Sequence, residues 1–156
     1  MFTWILNGAQ VAVDRDVNLL EYLREEAGLT SVKNGCGEGA CGACMVLVDG
    51  EPRRACLLTA AKAAGRTILT VEGLPEREKE IYAWAFAEAG AVQCGFCTPG
   101  MVISAKGLLD KNPEPSPAEI QRALRGNICR CTGYVKIIRA VGLAAGALRG
   151  GMPAAE

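Results

Sequence analysis

The chain of 156 residues reads as an α+β protein in two domains: a sheet-bearing domain over residues 1–75 and an all-α four-helix domain over 76–150, with a tail at 151–156. Three observations predict this division. Short apolar runs punctuated by Asn-Gly and Asp-Gly fill the first half, as paired strands require. From Glu76 the spacing of apolar residues becomes helical. Eight cysteines then fall into two sets of four, one set in each half.

The elements follow in order. "FTWILN" alternates as a strand, Asn7-Gly8 supplies a hairpin turn, and "AQVAV" returns beside it. Asn18 is an N-cap for "LLEYLREEA", with Leu19, Leu20 and Leu23 on one face and Gly28 as the stop. A Gly-rich loop leads to the strand "MVLV", an Asp49-Gly50 turn, a returning strand near "RRACLL" and a last strand "TILTV". In the second half, "EREKEIYAWAFAEAG" is a helix ending at Gly90. Thr98 and Pro99 are expected as N-cap and first helical residue of a second helix, running to about Lys111. Ser116, Pro117 and Glu119 make a capping-box pattern for a third, ending near Gly126, and a fourth spans about Tyr134 to Arg149. The domain boundary is expected near "EGLPERE".

Seventeen basic residues balance seventeen acidic ones without a Lys/Arg cluster, so no nucleic-acid partner is expected. The longest apolar run, Ala140 to Leu148, lies between Arg139 and Arg149 and is far short of the roughly 20 residues that cross a bilayer, so no membrane partner is expected either. The N-terminus carries no basic, apolar or twin-arginine export pattern, which points to the cytoplasm. Histidine is absent altogether. The commonest ligand of zinc, copper and non-haem iron, and the commonest general base, are therefore missing, and any chemistry must run on sulfur.

The first cysteine set is Cys36, Cys41, Cys44 and Cys56, a C-x4-C-x2-C run with a later fourth member. That is the plant-type [2Fe-2S] spacing. Gly35, Gly37, Gly39 and Gly42 are expected to supply positive φ angles and let backbone N–H groups point at the sulfurs. Such donors favour the more negative, reduced cluster. "GEGACG" matches G-x-G-x-x-G, but it leads into a strand rather than a helix, which argues against a dinucleotide site. The second set is Cys94, Cys97, Cys129 and Cys131, CxxC and then CxC. Residues two apart share no face of a helix, so Cys129 and Cys131 belong to a turn. Each pair precedes a predicted helix, whose free N–H groups and dipole suit an anionic cluster. By spacing alone structural zinc is an equal reading of this set, and a Cys94/Cys97 redox dithiol a weaker one. The presence of two sets in one chain tips the second toward iron and sulfur.

The succession "VKNGCGEGACGACMVLVDG", "AVQCGFCTPGMV" and "GNICRCTGY" closely resembles the small iron-sulfur subunit of the molybdenum hydroxylases, the xanthine dehydrogenase family, over residues 2 to about 150. The resemblance implies a β-grasp, plant-ferredoxin-like domain followed by a four-helix domain, each holding one [2Fe-2S] cluster. It implies partners: a large subunit with molybdopterin and its molybdenum, where hydroxylation occurs, and a medium subunit with FAD, assembled as a dimer of heterotrimers. Two electrons would pass from molybdenum through the clusters to FAD. Cys94, Cys97, Cys129 and Cys131 would hold the cluster nearer molybdenum, and Cys36, Cys41, Cys44 and Cys56 the one nearer flavin. Gln93 and Cys131 match positions that touch the pterin, although a loop-capping amide is the alternative for Gln93. No catalytic residue is expected on this chain, and a xanthine or purine dehydrogenase is the expected assembly. Aldehydes, other N-heterocycles and carbon monoxide remain alternatives, as does a zinc-stapled scaffold.

Overall fold

The computed structural model describes residues 1–153, so the end of the expected tail, 154–156, lies outside the described residues. Strands β1 (Phe2–Leu6) and β2 (Ala9–Val13) pair antiparallel about Asn7 and Gly8, whose φ angles of 49° and 87° make the expected tight turn. Strands β3 (Met45–Val48) and β4 (Glu51–Arg54) repeat the device at Asp49 and Gly50, with φ of 50° and 83°. The returning strand thus begins earlier than "RRACLL", and Ala55–Leu57 is a 3-10 turn instead. Strand β5 (Thr67–Leu69) runs parallel to β1 and antiparallel to β3, closing one sheet in the order β2-β1-β5-β3-β4.

One face of that sheet grips helix α1 (Leu19–Glu21), the β-grasp arrangement. Asn18 caps it as expected, its Oδ1 accepting from the N–H groups of Leu20 and Glu21 at 3.0 and 3.4 Å. The helix then widens into a π turn over Tyr22–Glu26 and stops at Gly28, where φ is 68°. Leu19, Leu20 and Leu23 are buried against Trp4, Val46 and Ile68. Each such side chain taken out of water stabilises the fold by about 1.5–3 kcal/mol. A short helix, α2 (Ala60–Ala63), precedes β5.

The second half consists of α3 (Glu76–Glu88), α4 (Thr98–Leu109), α5 (Pro117–Ala123) and α6 (Val135–Gly150). Their buried residues form a separate apolar core, with Ile81, Phe86, Met101, Ile137 and Val141 among its members. Helix α4 is apolar on nearly every side because it packs against this core and also against the far face of the sheet. Met45 and Leu47 meet Ile103 there, while Val46 faces the other way, which is why "MVLV" lacks a polar face. Gly107 allows the contact, since a Cβ on it would come within 2.6 Å of Pro52 Cγ. Among the described residues no helix is long and apolar enough to cross a membrane.

Candidate metal centres

All eight thiols are free; seven lie on loops and Cys56 on the 3-10 turn Ala55–Leu57. Three backbone N–H groups converge on the first: those of Glu38, Ala40 and Cys41 donate to Cys36 Sγ at 3.4, 3.2 and 3.3 Å. These donations lower the Cys36 thiol to about 6, the Glu38 N–H contributing most. The Ala43 N–H donates to Cys41 Sγ at 3.4 Å. Gly37, Gly39 and Gly42 adopt the expected positive φ, but Gly35 does not. Its reason for being glycine is proximity, because a Cβ there would stand 2.8 Å from Cys41 Sγ. Cys44 lies deepest, and burial pushes its thiol up to about 11.

The second set brings the loop before α4 against the loop before α6. Cys94 and Cys131 are exposed and their sulfurs are 3.6 Å apart, while Cys97 and buried Cys129 pair beneath them. The Thr-Gly-Tyr that follows ties this loop into a knot. Thr132 Oγ1 donates to Cys129 Sγ at 3.2 Å, Tyr134 N–H donates to Thr132 Oγ1 at 3.3 Å, and Cys129 N–H donates to Tyr134 Oη at 3.0 Å. Burial alone would raise the Cys129 thiol, but the hydrogen bonds from Thr132, Cys131 and Cys97 outweigh it and bring it to about 7. Cys97 is pushed up to about 12 by burial. Thr98 is not the cap: Cys97 holds the N-cap position, Thr98 is the first helical residue and its hydroxyl is buried without a partner. Gln93 donates from Nε2 to Cys131 O at 3.0 Å, so its amide bridges the two loops.

Within each set the thiols act on one another: Cys94 and Cys131 are in contact, and hydrogen bonding links Cys36 to Cys41, Cys44 to Cys56 and Cys97 to Cys129. Among the described residues, no three Cys, Asp or Glu side chains converge on a point that could hold a single ion. A lone zinc would draw four sulfurs together at about 2.3 Å from one centre. Two irons sharing four thiolates want two pairs, with N–H donors toward the sulfurs, and the residues present fit that group.

Comparison with known proteins accords with the geometry. Residues 3–70 match the 2Fe-2S iron-sulfur cluster binding domain family and residues 70–142 match the [2Fe-2S] binding domain family. The nicotinate dehydrogenase small FeS subunit of Eubacterium barkeri is 53% identical over 139 residues, covering 87% of this chain and 88% of the relative. The xanthine dehydrogenase iron-sulfur-binding subunit of Escherichia coli is 50% identical over 127 residues, 79% of this chain and 79% of the relative. This chain belongs to the small iron-sulfur subunits of the molybdenum hydroxylases.

Its fold superposes on that of quinoline 2-oxidoreductase from Pseudomonas putida with a TM-score of 0.86 at 42% identity, covering 97% of both chains. The aldehyde oxidoreductase of Desulfovibrio desulfuricans gives a TM-score of 0.89 at 42% identity, covering 96% of this chain but 17% of that larger one. As a small iron-sulfur subunit the chain carries two domains for two [2Fe-2S] clusters and serves electron transfer within a molybdenum-containing oxidoreductase.

The cysteines are not all that shapes the site. Ile128 N–H donates to Cys41 O at 2.9 Å, so a residue beside Cys129 is bonded to a cysteine of the other set. Asn127 donates from Nδ2 to Gly42 O at 3.2 Å and accepts from Ser104 Oγ at 2.7 Å, and Arg54 Nη2 donates to Gly126 O at 3.2 Å. Reading the sequence missed these partners. The available signal was a lone hydroxyl, Ser104, amid the apolar "GMVISAKGLL".

Proposed function

We propose that Cys36, Cys41, Cys44 and Cys56 hold one [2Fe-2S] cluster and Cys94, Cys97, Cys129 and Cys131 the other, on domains that divide near residue 75. The observations that carry this reading are the three backbone N–H groups aimed at Cys36 Sγ and the meeting of the Cys94 and Cys131 sulfurs at 3.6 Å across the two loops. When bound, the clusters supply the one-electron carriers by which electrons leave the molybdenum subunit for FAD. The chain's own residues hold the sulfurs, aim N–H groups at them, and bond the two loops together through Ile128 and Cys41.

The exposed Cys94 and Cys131 support the orientation in which the second cluster faces the large molybdopterin subunit and the first faces the FAD-binding medium subunit. Gln93 and Cys131 are then the residues that meet the pterin. The Gln93 bond to Cys131 O leaves its carbonyl oxygen for that contact and also serves the loop-capping role, so the two roles coexist. The assembly is proposed to be a cytoplasmic dimer of heterotrimers that hydroxylates xanthine or another purine. Relatives named for xanthine, nicotinate and nicotine support a nitrogen-containing ring as the wider substrate class.

The test uses the complex purified from its native cells. Two distinct paramagnetic signals on reduction and four irons per small chain, as two [2Fe-2S] centres demand, are expected. Cys44→Ala should remove only the plant-type signal, and Cys129→Ala only the other while weakening pterin retention. A colourless protein with stoichiometric zinc would sink the reading. Adding xanthine, nicotinate or an aldehyde in turn and following bleaching of the cluster absorbance identifies the substrate; bleaching by the aldehyde alone would overturn the purine assignment.

A further inference from the structure

A buried polar node sits where the two domains meet, between the cysteine loops. We propose that Asn127 is a positioning residue whose side-chain amide fixes the spacing and orientation of the two cluster-holding loops, and thereby the coupling between the clusters. The proposal rests on the reading above that each set of thiols holds a cluster.

Among the described residues the buried polar side chains are Thr70, Ser104 and Asn127, and the last two belong to this node. Asn127 is 4% exposed. Its amide touches three pieces of the molecule at once. It belongs to the loop that leads into Cys129; its Nδ2 reaches Gly42 O, next to Cys41; its Oδ1 accepts from Ser104 on α4, the helix that Cys97 caps. Both cysteine pairs of the second set and the heart of the first are therefore referred to one side chain.

The chemistry selects an amide. Gly42 O can only accept, and it already takes the N–H of Met45 at 3.2 Å. The Ser104 hydroxyl has a proton to give. The residue between them must donate on one side and accept on the other within a rigid plane, which Asn does and which Asp or Leu does not. Buried groups left without such partners are costly, so the node holds its geometry.

The backbone around it leaves no slack. A Cβ on Gly42 would lie 2.1 Å from Gly126 O, and one on Gly100 would lie 2.5 Å from Gly42 O. Beside the amide contact from Asn127 to Gly42 runs the backbone bond from Ile128 to Cys41, so adjacent residues form two rungs across the seam. Removing the first rung loosens the second, and the second directly joins a thiol-bearing residue of one set to the neighbour of a thiol-bearing residue of the other.

The test compares the complete cluster-loaded complex with its Asn127→Asp and Ser104→Ala forms. Asn127→Asp keeps the shape and removes the donor to Gly42 O; Ser104→Ala removes only the donor to Oδ1. After dithionite reduction, low-temperature electron paramagnetic resonance reads the magnetic interaction between the two clusters, which depends on their separation and relative orientation. Both variants should keep the parental iron content and both individual signals, yet lose or alter the splitting, and the Ile128 amide should exchange its hydrogen faster. Ser116→Ala, which weakens a distant helix cap, should leave the splitting as in the parent. Parental splitting in either loaded variant overturns the proposal, and where Asn127→Asp does not assemble, Ser104→Ala decides alone. A parent without two cluster signals would fell the functional reading instead, whereas a parent with two signals and unaltered variants would fell this inference only.

Discussion

At single positions, what matters is whether a residue is required by backbone angle, by space, or by both. Gly133 has φ of 69° and open space around its missing Cβ, whereas Gly42 has φ of 75° and Gly126 O where that Cβ would go. Alanine at Gly133 should cost only the left-handed strain, about 1–2 kcal/mol. Alanine at Gly42 should cost more than that, because the obstructing atom is backbone and the Asn127 contact separates with it. Thermal unfolding of the two variants beside the parent checks this ranking, and equal losses would contradict it. Sequence reading sees a glycine in both cases. Expecting positive φ at Gly35 failed for the same reason, since the sulfur of Cys41 and not the φ angle excludes a side chain there.

Helix ends separate what is local from what is not. Ser116 and Glu119 form the full capping box read from four consecutive residues, with Ser116 N–H donating to Glu119 Oε2 at 2.7 Å. Asn18 is an equally local cap, but its Nδ2 also donates to Cys56 O at 2.9 Å, across 38 residues of chain. Ser116→Ala should therefore cost about 1 kcal/mol, whereas Asn18→Ala should cost about 1–2 kcal/mol more for the bond to Cys56 O. Denaturant unfolding gives both numbers, and Asn18→Ala should in addition loosen the segment that carries Cys56. The elements that escaped the sequence share this dependence on distant packing. The π turn at Tyr22–Glu26 is set by tertiary contacts, with Tyr22 packed edge-on against Trp4 at 5.2 Å and Arg24 donating to Thr30 O and Val32 O. Thr98 has the right chemistry to cap α4, but Cys97 occupies that place because the loop must turn its thiol toward Cys129. The hairpins at Asn7-Gly8 and Asp49-Gly50 were readable because φ preference alone decides them.

Across the whole molecule, the link between the domains is tied down by a carboxylate. Glu72 takes hydrogen bonds from Ser31 and from Thr70 Oγ1, the latter at 2.8 Å, and Asn7 Nδ2 donates to the same Thr70 Oγ1 at 2.9 Å. Burial alone would raise the Glu72 carboxyl, but these donors hold it below its ordinary value. A depressed carboxyl contributes stability above its unfolded value, and that stability is lost as pH falls through the lower, folded value. The network should thus be intact at neutral pH and weaken as pH falls below the ordinary carboxyl value and through the lower, folded one, with Glu72→Gln costing about 1–2 kcal/mol near pH 7 and much less at a pH below that folded value. Unfolding midpoints of variant and parent at both pH values provide the check; an equal cost at each would remove the charge from the explanation.

The balance of seventeen basic and seventeen acidic residues also bears on how the chain is held by its partners. A carrier that docks transiently relies on strong net charge to steer it, and this one has none. On the loops that carry the exposed Cys94 and Cys131 it presents apolar side chains, Val92 45% exposed, Phe96 46%, Ile128 50% and Val135, the first residue of α6, 75%, among the exposed polar Gln93, Arg130 and Lys136. Apolar side chains grouped in this way and rimmed by polar ones mark a surface that a partner covers. Association with the molybdopterin subunit should therefore survive ~1 M salt, where charges are screened beyond about 3 Å. Val135→Asp should weaken it at least tenfold, about 1.4 kcal/mol, because the carboxylate would be buried without a partner. Co-elution of the subunits on a sizing column in low and high salt, for parent and variant, decides the matter. A complex that falls apart in salt and tolerates Val135→Asp would mean that its contacts are electrostatic and that this apolar face is not where the large subunit binds.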